Sequence, residues 1–310
     1  MSSDQGFFSD VRGPVVPGGG LGKLAWDHRD ASLGALPVFT ATDDPGPSFG
    51  ALLSGVGRDW RSAWMPAASA AGSLQQGRDR EFQAPHATTV LALRFKDGVV
   101  MAGDRRATEG SFIAHRLMEK VLPADRHSGV AIAGVAGPAT EMVKLFQTQL
   151  EHYEKVEGAE LSLEGKANQL GQMVRENLAM AMQGLVVVPL FAGYDLHRHV
   201  GRIFTYDVTG GHYEELDFHA TGSGGRDARA AVKARWRWDL ERSDAINLAV
   251  QALYDAADED AATGGPDAVR GIYPTVAVVT AAGFEKLGDE EVEQSFAEVI
   301  ASKRESGRMP

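Results

Sequence analysis

The sequence has no cysteine, which excludes a disulfide framework and any thiolate metal site. It is short of positive charge. Lys and Arg number 31 against 42 Asp and Glu, giving a net charge of −11 and a pI near 5.3. That balance disfavours nucleic acid or an anionic membrane as a partner. No uninterrupted apolar run reaches the roughly 18 residues that a membrane span needs. The first residues also lack the basic-then-apolar pattern of a secretory signal. A cytoplasmic location is expected.

Breakers are plentiful but unevenly spread. Residues 1–87 hold 7 of the 13 prolines and 13 of the 36 glycines, in runs such as GPVVPGGGLG (13–22) and DDPGP (43–47). They show no sustained helical or strand period. The stretch 47–66 has apolar residues without a clear period, and reads as disordered or as a short helix formed on docking. We therefore expect a mostly disordered leader over 1–87 and one domain over 88–310, long enough to bury a sizeable core.

The domain opens with TVLALRF (89–95), a Lys96-Asp97-Gly98 turn and VVMAGD (99–104). Asp-Gly between two apolar runs is a hairpin signal. Strand patterns follow near 112–122 and 129–134, and helical ones over 138–156 and 162–183, punctuated by Gly158 and Gly184. Strands return at 186–194, 201–208 and 212–222. Helices are predicted over 226–241 and 243–260, a strand pair over 275–287 and a last helix from 289. This order lacks the strict alternation of a doubly wound sheet. It predicts an α+β fold, two antiparallel sheets face to face with helix pairs outside.

A Thr-Thr pair stands where the leader stops and the hairpin starts. Asp104 follows Thr88 by sixteen residues, and Lys120 follows Asp104 by sixteen more. A threonine hydroxyl stays protonated at neutral pH and needs a base beside it. A chain-terminal threonine carries one, its α-amino group, with an unperturbed pKa of roughly 7.7–8.0. Cleavage before Thr88 would put nucleophile and base on one residue. Taken singly, Thr88, Asp104 and Lys120 are each more often structural. TGSGGRDA (221–228) sits between a strand and a helix, as a phosphate-cradling loop would, but lacks the full glycine pattern and a surrounding βαβ unit. His197, His199, His212 and His219 match no metal-ligand spacing, so no metal is expected.

The run from Thr88 to Thr108, Glu119-Lys120-Val121, AIAGVAG (131–137), LEHYEKVEG (150–158) and AMQGLVVVPLFAGYD (181–195) resemble a proteasome core-particle β subunit. So do GRIFTYDVTGG (201–211) and LYDAADEDAATGGPDAVRGIYPT (253–275). The likeness is greatest to the catalytic β subunit of actinobacteria. It covers nearly all of 88–310 and is weakest at 225–244 and after 288. The resemblance implies an N-terminal nucleophile hydrolase, a four-layer αββα sandwich acting as a threonine endopeptidase. By position, Thr88 matches the nucleophile, Asp104 the acidic residue and Lys120 the lysine that flank it. Gly134 matches the oxyanion donor, and Ser223, Asp260 and Thr263 the supporting polar positions. The substrate pocket carries over to Ala107, Thr108, Met118, Leu122, Ile132 and Ala136, which is apolar.

The resemblance further implies seven-membered β rings stacked on α-subunit rings, a ring ATPase that feeds unfolded protein substrates, and no cofactor. Two departures stand out. Ala87 takes the place of a glycine before the nucleophile, where self-cleavage needs a strained backbone, so slow leader removal is predicted. Ala261 stands where relatives often carry serine. Two other readings remain, a silent scaffold subunit that keeps its leader and a small-molecule amidase of the same fold.

Overall fold

The computed structural model describes residues 88–109 and 112–307. The expected leader and the Ala87–Thr88 boundary on its side lie outside the described residues. Lys96 and Asp97 form the turn between β1 (Thr89–Phe95) and β2 (Gly98–Gly103), with Phe95 opposite Gly98. A short hairpin of β3 (Ala107–Glu109) and β4 (Phe112–His115) follows. Then come β5 (Val121–Asp125), β6 (Ser128–Gly134) and the helices α1 (Ala136–Glu157), α2 (Leu163–Glu176) and α3 (Leu178–Ala181). The second half adds β7 (Val187–Asp195), β8 (Val200–Tyr206), β9 (His212–Glu215) and β10 (Phe218–Gly222). It ends with α4 (Gly225–Lys233), α5 (Arg242–Glu259), β11 (Thr275–Thr280), β12 (Gly283–Lys286) and α6 (Asp289–Glu305).

Two five-stranded antiparallel sheets result, ordered β10-β1-β2-β11-β12 and β5-β6-β7-β8-β9. Side chains alternate across a strand, and in β1 both sets are apolar. Val90 and Ala92 point between the sheets, where they meet Met101, Ala131, Leu190 and Ile203. Leu91 and Leu93 point outward onto Ile246, Ala249 and Leu253 of α5. The outer face of the second sheet is covered in the same way, with Ile132, Phe191 and Phe204 packed on Phe146 of α1 and Leu170 of α2. These three apolar layers make the αββα sandwich. Each large side chain so buried contributes about 1.5–3 kcal/mol.

Two buried cations are matched by carboxylates. Arg202 of β8 lies beneath α2 and takes Glu164, Glu214 and Asp195 at 2.7, 2.5 and 3.2 Å. Lys166 of α2 reaches Asp125 of β5 at 2.5 Å.

Four sequence expectations need correction. The strand near 112–122 is two strands in different sheets, β4 and β5, separated by residues 116–120. The single strand over 212–222 is two strands in different sheets, β9 and β10, and the chain changes layer at Leu216–Asp217. The helix over 226–241 stops at Lys233. Trp236 then turns back, donating from Nε1 to the Arg94 carbonyl at 2.9 Å and packing at a tilt against Phe218, with ring centroids 5.7 Å apart. The helix over 162–183 breaks at Asn177, whose Nδ2 donates to the Met173 carbonyl at 3.2 Å.

Candidate active site

Thr88 lies at the mouth of the first sheet, where three neighbouring strands end together. Thr89 opens β1 opposite Gly222, the last residue of β10, and Val90 faces Gly103, the last residue of β2. Residues just beyond those ends, Asp104 and Ser223, therefore converge on the Thr88–Thr89 backbone. Lys120 arrives from the other sheet, one residue before β5. Thr88 is only 5 % exposed, and Asp104 and Lys120 are fully buried.

Two hydrogen-bonded groups meet this backbone. In the first, Asp104 Oδ1 accepts from Lys120 Nζ at 2.6 Å and from the Thr89 N–H at 2.8 Å. Its Oδ2 accepts from the Arg106 and Gly264 N–H groups, each at 2.9 Å. Lys120 Nζ also donates to the Arg106 carbonyl at 2.6 Å. A buried carboxylate with this many donors is well satisfied. The Lys120 ammonium is held below the ordinary lysine pKa, because burial disfavours its charge more than Asp104 favours it, and the Arg106 charge adds to the depression.

In the second group, Asp260 Oδ2 accepts from Ser223 Oγ at 2.5 Å and from Thr263 Oγ1 at 2.6 Å. Thr263 Oγ1 lies 2.7 Å from Thr89 Oγ1. Burial would raise the Asp260 pKa, but the hydrogen bonds from Ser223, Thr263 and the Ala262 N–H outweigh it, so the group sits below the ordinary aspartate value. Asp258 and Glu259, by contrast, are exposed.

The backbone closes the site. The Ser223 N–H donates to the Thr88 carbonyl at 2.9 Å, and the Gly224 N–H to Thr89 Oγ1 at 2.9 Å. These two N–H groups of the TGSGGRDA loop are thus taken by the Thr-Thr pair and are not presented to a phosphate. Gly222 has φ +100°, and a Cβ there would lie 1.6 Å from the Thr88 carbonyl oxygen, so only glycine lets β10 approach. Gly134 has φ +114° at the end of β6, and a Cβ on it would lie 2.1 Å from the Val186 carbonyl oxygen.

The other expected residues divide. Met118 and Leu122, both half-buried, pack on the apolar layer that contains Ile132. Ala107 and Thr108 on β3 and Ala136 at the start of α1 are half-buried outside that layer. His197 and His199 are exposed, whereas His212 Nε2 and His219 Nδ1 lie 3.7 and 3.1 Å from Glu164 and Glu215.

A family model described as "Proteasome subunit" matches residues 84–270. The chain belongs to the proteasome β-subunit family. It is 60 % identical over 280 residues to "Proteasome subunit beta" of Acidimicrobium ferrooxidans, covering 90 % of this chain and 98 % of that protein. It is 60 % identical over 223 residues to the "Proteasome subunit beta" of Streptomyces griseus, covering 72 % and 79 %. The namesake of Acidothermus cellulolyticus is 57 % identical over 225 residues, covering 71 % and 78 %. The αββα sandwich is the fold that the sequence resemblance implied, and the family is one of protease subunits.

For this proteasome β-type chain, sequence reasoning missed three participants. Thr89 contributes its N–H to Asp104 and its hydroxyl to Thr263. The Arg106 carbonyl and the Gly264 N–H complete the Asp104–Lys120 pair. The second threonine of the pair and the Gly264-Gly265 dipeptide were the available signals. Backbone contributions such as Arg106 leave no mark on residue type. Among the described residues, no helix is long and apolar enough to cross a membrane.

Proposed function

We propose that this chain is a threonine endopeptidase of the proteasome core whose nucleophile is Thr88, freed by cleavage of the 87–88 peptide bond. The observation that carries the proposal is the Asp104 carboxylate. It bridges Lys120 Nζ and the Thr89 N–H, one residue from Thr88. In the uncut chain the Thr88 nitrogen is an amide and is no base. After scission it is an amine, and a lysine ammonium nearby would hold its pKa down, so that it is free at neutral pH.

The amine takes the proton of Thr88 Oγ as that oxygen adds to the substrate carbonyl carbon. The resulting oxyanion is stabilised by the Gly134 N–H. The tetrahedral intermediate expels the substrate amine, which receives the proton, and leaves an ester on Thr88 Oγ. Water gives a proton to the Thr88 amine and attacks the ester, releasing a carboxylate product and restoring the hydroxyl. Ser223, Asp260 and Thr263 hold the amine and this water. Ala107, Thr108, Met118, Leu122, Ile132 and Ala136 form an apolar pocket for the residue before the cut.

Leader removal over 1–87 is an autocatalytic step of the same kind, slowed by Ala87. The working form is a cytoplasmic particle of seven-membered β rings and α-subunit rings, fed with unfolded protein by a ring ATPase. N-terminal sequencing of assembled protein tests the proposal, with Thr88 expected as the first residue. Thr88→Ala should abolish peptide hydrolysis and leader removal while assembly persists, and Thr88→Ser should keep part of both. Normal turnover by Thr88→Ala, or full activity with residues 1–87 retained, would overturn it.

A further inference from the structure

A small pocket of about 30 Å³ opens beside the Asp104–Lys120 pair, walled by Arg105, Arg106, Arg116, Gly264, Gly265 and Asp267 among others. Three arginines and one aspartate therefore line it. The carboxylate is already engaged, since Asp267 Oδ2 accepts from Arg270 Nη1 at 2.5 Å and Oδ1 from the Arg270 N–H at 3.1 Å. The guanidiniums are under-used. Among the described residues, the Arg106 guanidinium donates only to the Ala261 carbonyl, from Nη1 at 2.8 Å. Arg105 Nη1 reaches the exposed Asp289 at 3.2 Å, while Arg105 Nε is buried with no acceptor among the described residues. Arg116 is exposed and has no side-chain acceptor among the described residues.

We propose that this pocket is a binding site for a small oxyanion, a carboxylate or a phosphate-class ion, held by Arg105, Arg106 and Arg116. A buried guanidinium N–H is costly to leave without an acceptor. Water could fill the space but would leave the excess positive charge unbalanced. An oxyanion supplies both needs, because its paired oxygens match the fork of an arginine. The volume admits a carboxylate head, or one face of a phosphate with the rest in solvent. The site stands apart from the nucleophile assignment, yet it shares a wall with the ion pair. Gly264 lines the pocket while its N–H holds Asp104, and Arg106 lines it while its carbonyl holds Lys120. An occupant would fix that wall.

The test is thermal unfolding of the full-length chain titrated with inorganic phosphate, acetate or chloride at constant ionic strength. A ligand that binds the folded state raises Tm by mass action. Phosphate or acetate should raise it above chloride and saturate. Arg116→Gln, at an exposed position, should weaken the apparent affinity about tenfold or more, and Arg116→Lys less, since it keeps the charge but not the fork. Acetate matching phosphate would identify a carboxylate, such as a peptide end, as the ligand chemistry. A response to phosphate alone would identify a free phosphate-class ion. Phosphate also stabilises proteins without binding them, so the variant decides. Equal shifts in the wild-type protein and Arg116→Gln, or no shift beyond chloride, would overturn the site.

Discussion

Lys120 Nζ and Asp104 Oδ1 lie 2.6 Å apart with both side chains wholly buried, but the two partners are not equivalent in what each leaves behind. Asp104 also accepts the N–H groups of Thr89, Arg106 and Gly264. Among the described residues, Lys120 has one further acceptor, the Arg106 carbonyl. Asp104→Ala would strand a buried ammonium and three N–H groups, at a cost of about 3–5 kcal/mol. Lys120→Met would leave a carboxylate that keeps its three backbone donors, and should cost less, about 1–3 kcal/mol. Urea unfolding with unchanged m-values measures both. The opposite order would mean that backbone satisfaction does not hold this pair.

Thr89 is the residue that joins the two groups, through its N–H to Asp104 and its hydroxyl to Thr263 and Gly224. Thr89→Val keeps the shape and the N–H but removes the hydroxyl, leaving the buried Gly224 N–H without its acceptor. The expected loss is about 1–3 kcal/mol. Peptidase activity should fall with it, because Thr263 and Asp260 lose their tie to the Thr88 strand. Thr89→Ser should restore most of both. Wild-type stability and activity in Thr89→Val would show that the second threonine is a passive strand residue.

Met118 tests the proposed pocket. It is half-buried against the apolar layer that holds Leu122 and Ile132. An apolar substrate side chain gains about 1.5–3 kcal/mol on burial, whereas an unpaired charge loses more than that. Peptides ending in Leu, Phe or Tyr should be cut roughly tenfold or more faster than those ending in Arg or Asp, a decade being about 1.4 kcal/mol. Met118→Glu should move the preference toward basic residues. A wild-type preference for Arg would place the pocket elsewhere.

The fold was legible where period and turn chemistry agreed. The Asp97-Gly98 hairpin, the doubly apolar β1 and the glycine at the end of α1 all follow local rules, and Gly158 indeed closes α1 in a left-handed conformation, with φ 71°. What stayed hidden was tertiary. Nothing local in HYEELDFHATG marks a change of sheet, because both of its strands keep a polar or half-buried face. The early stop of α4 depends on Trp236 finding the Arg94 carbonyl, a contact between residues 142 apart. At the site, residue type and spacing pointed to Thr88, Asp104, Lys120, Ser223, Asp260 and Thr263 only through the family likeness. The structure adds why Thr88, Asp104 and Ser223 meet, since the ends of β1, β2 and β10 coincide.

Asp260 gives the site a measurable dependence on pH. Its hydrogen bonds from Ser223, Thr263 and the Ala262 N–H outweigh burial and hold its pKa below the ordinary value of 3.8. A carboxylate depressed in the folded state contributes stability that is present above its unfolded pKa and is lost as pH falls through the folded one. Asp260→Asn keeps the shape but has no charge to titrate there. The stability gap between wild type and Asp260→Asn should therefore be constant near neutrality and shrink as pH drops below about 4, where the unfolded carboxyl takes its proton first. Because Asp260 is partly exposed, the gap is reduced by solvent screening. Urea unfolding of both proteins from pH 6 to the acid limit of folding, in steps of about half a unit, reads it directly. A gap that grows on acidification would mean that the folded protein raises this pKa, and that the two hydroxyls do not donate to Asp260 as the geometry places them.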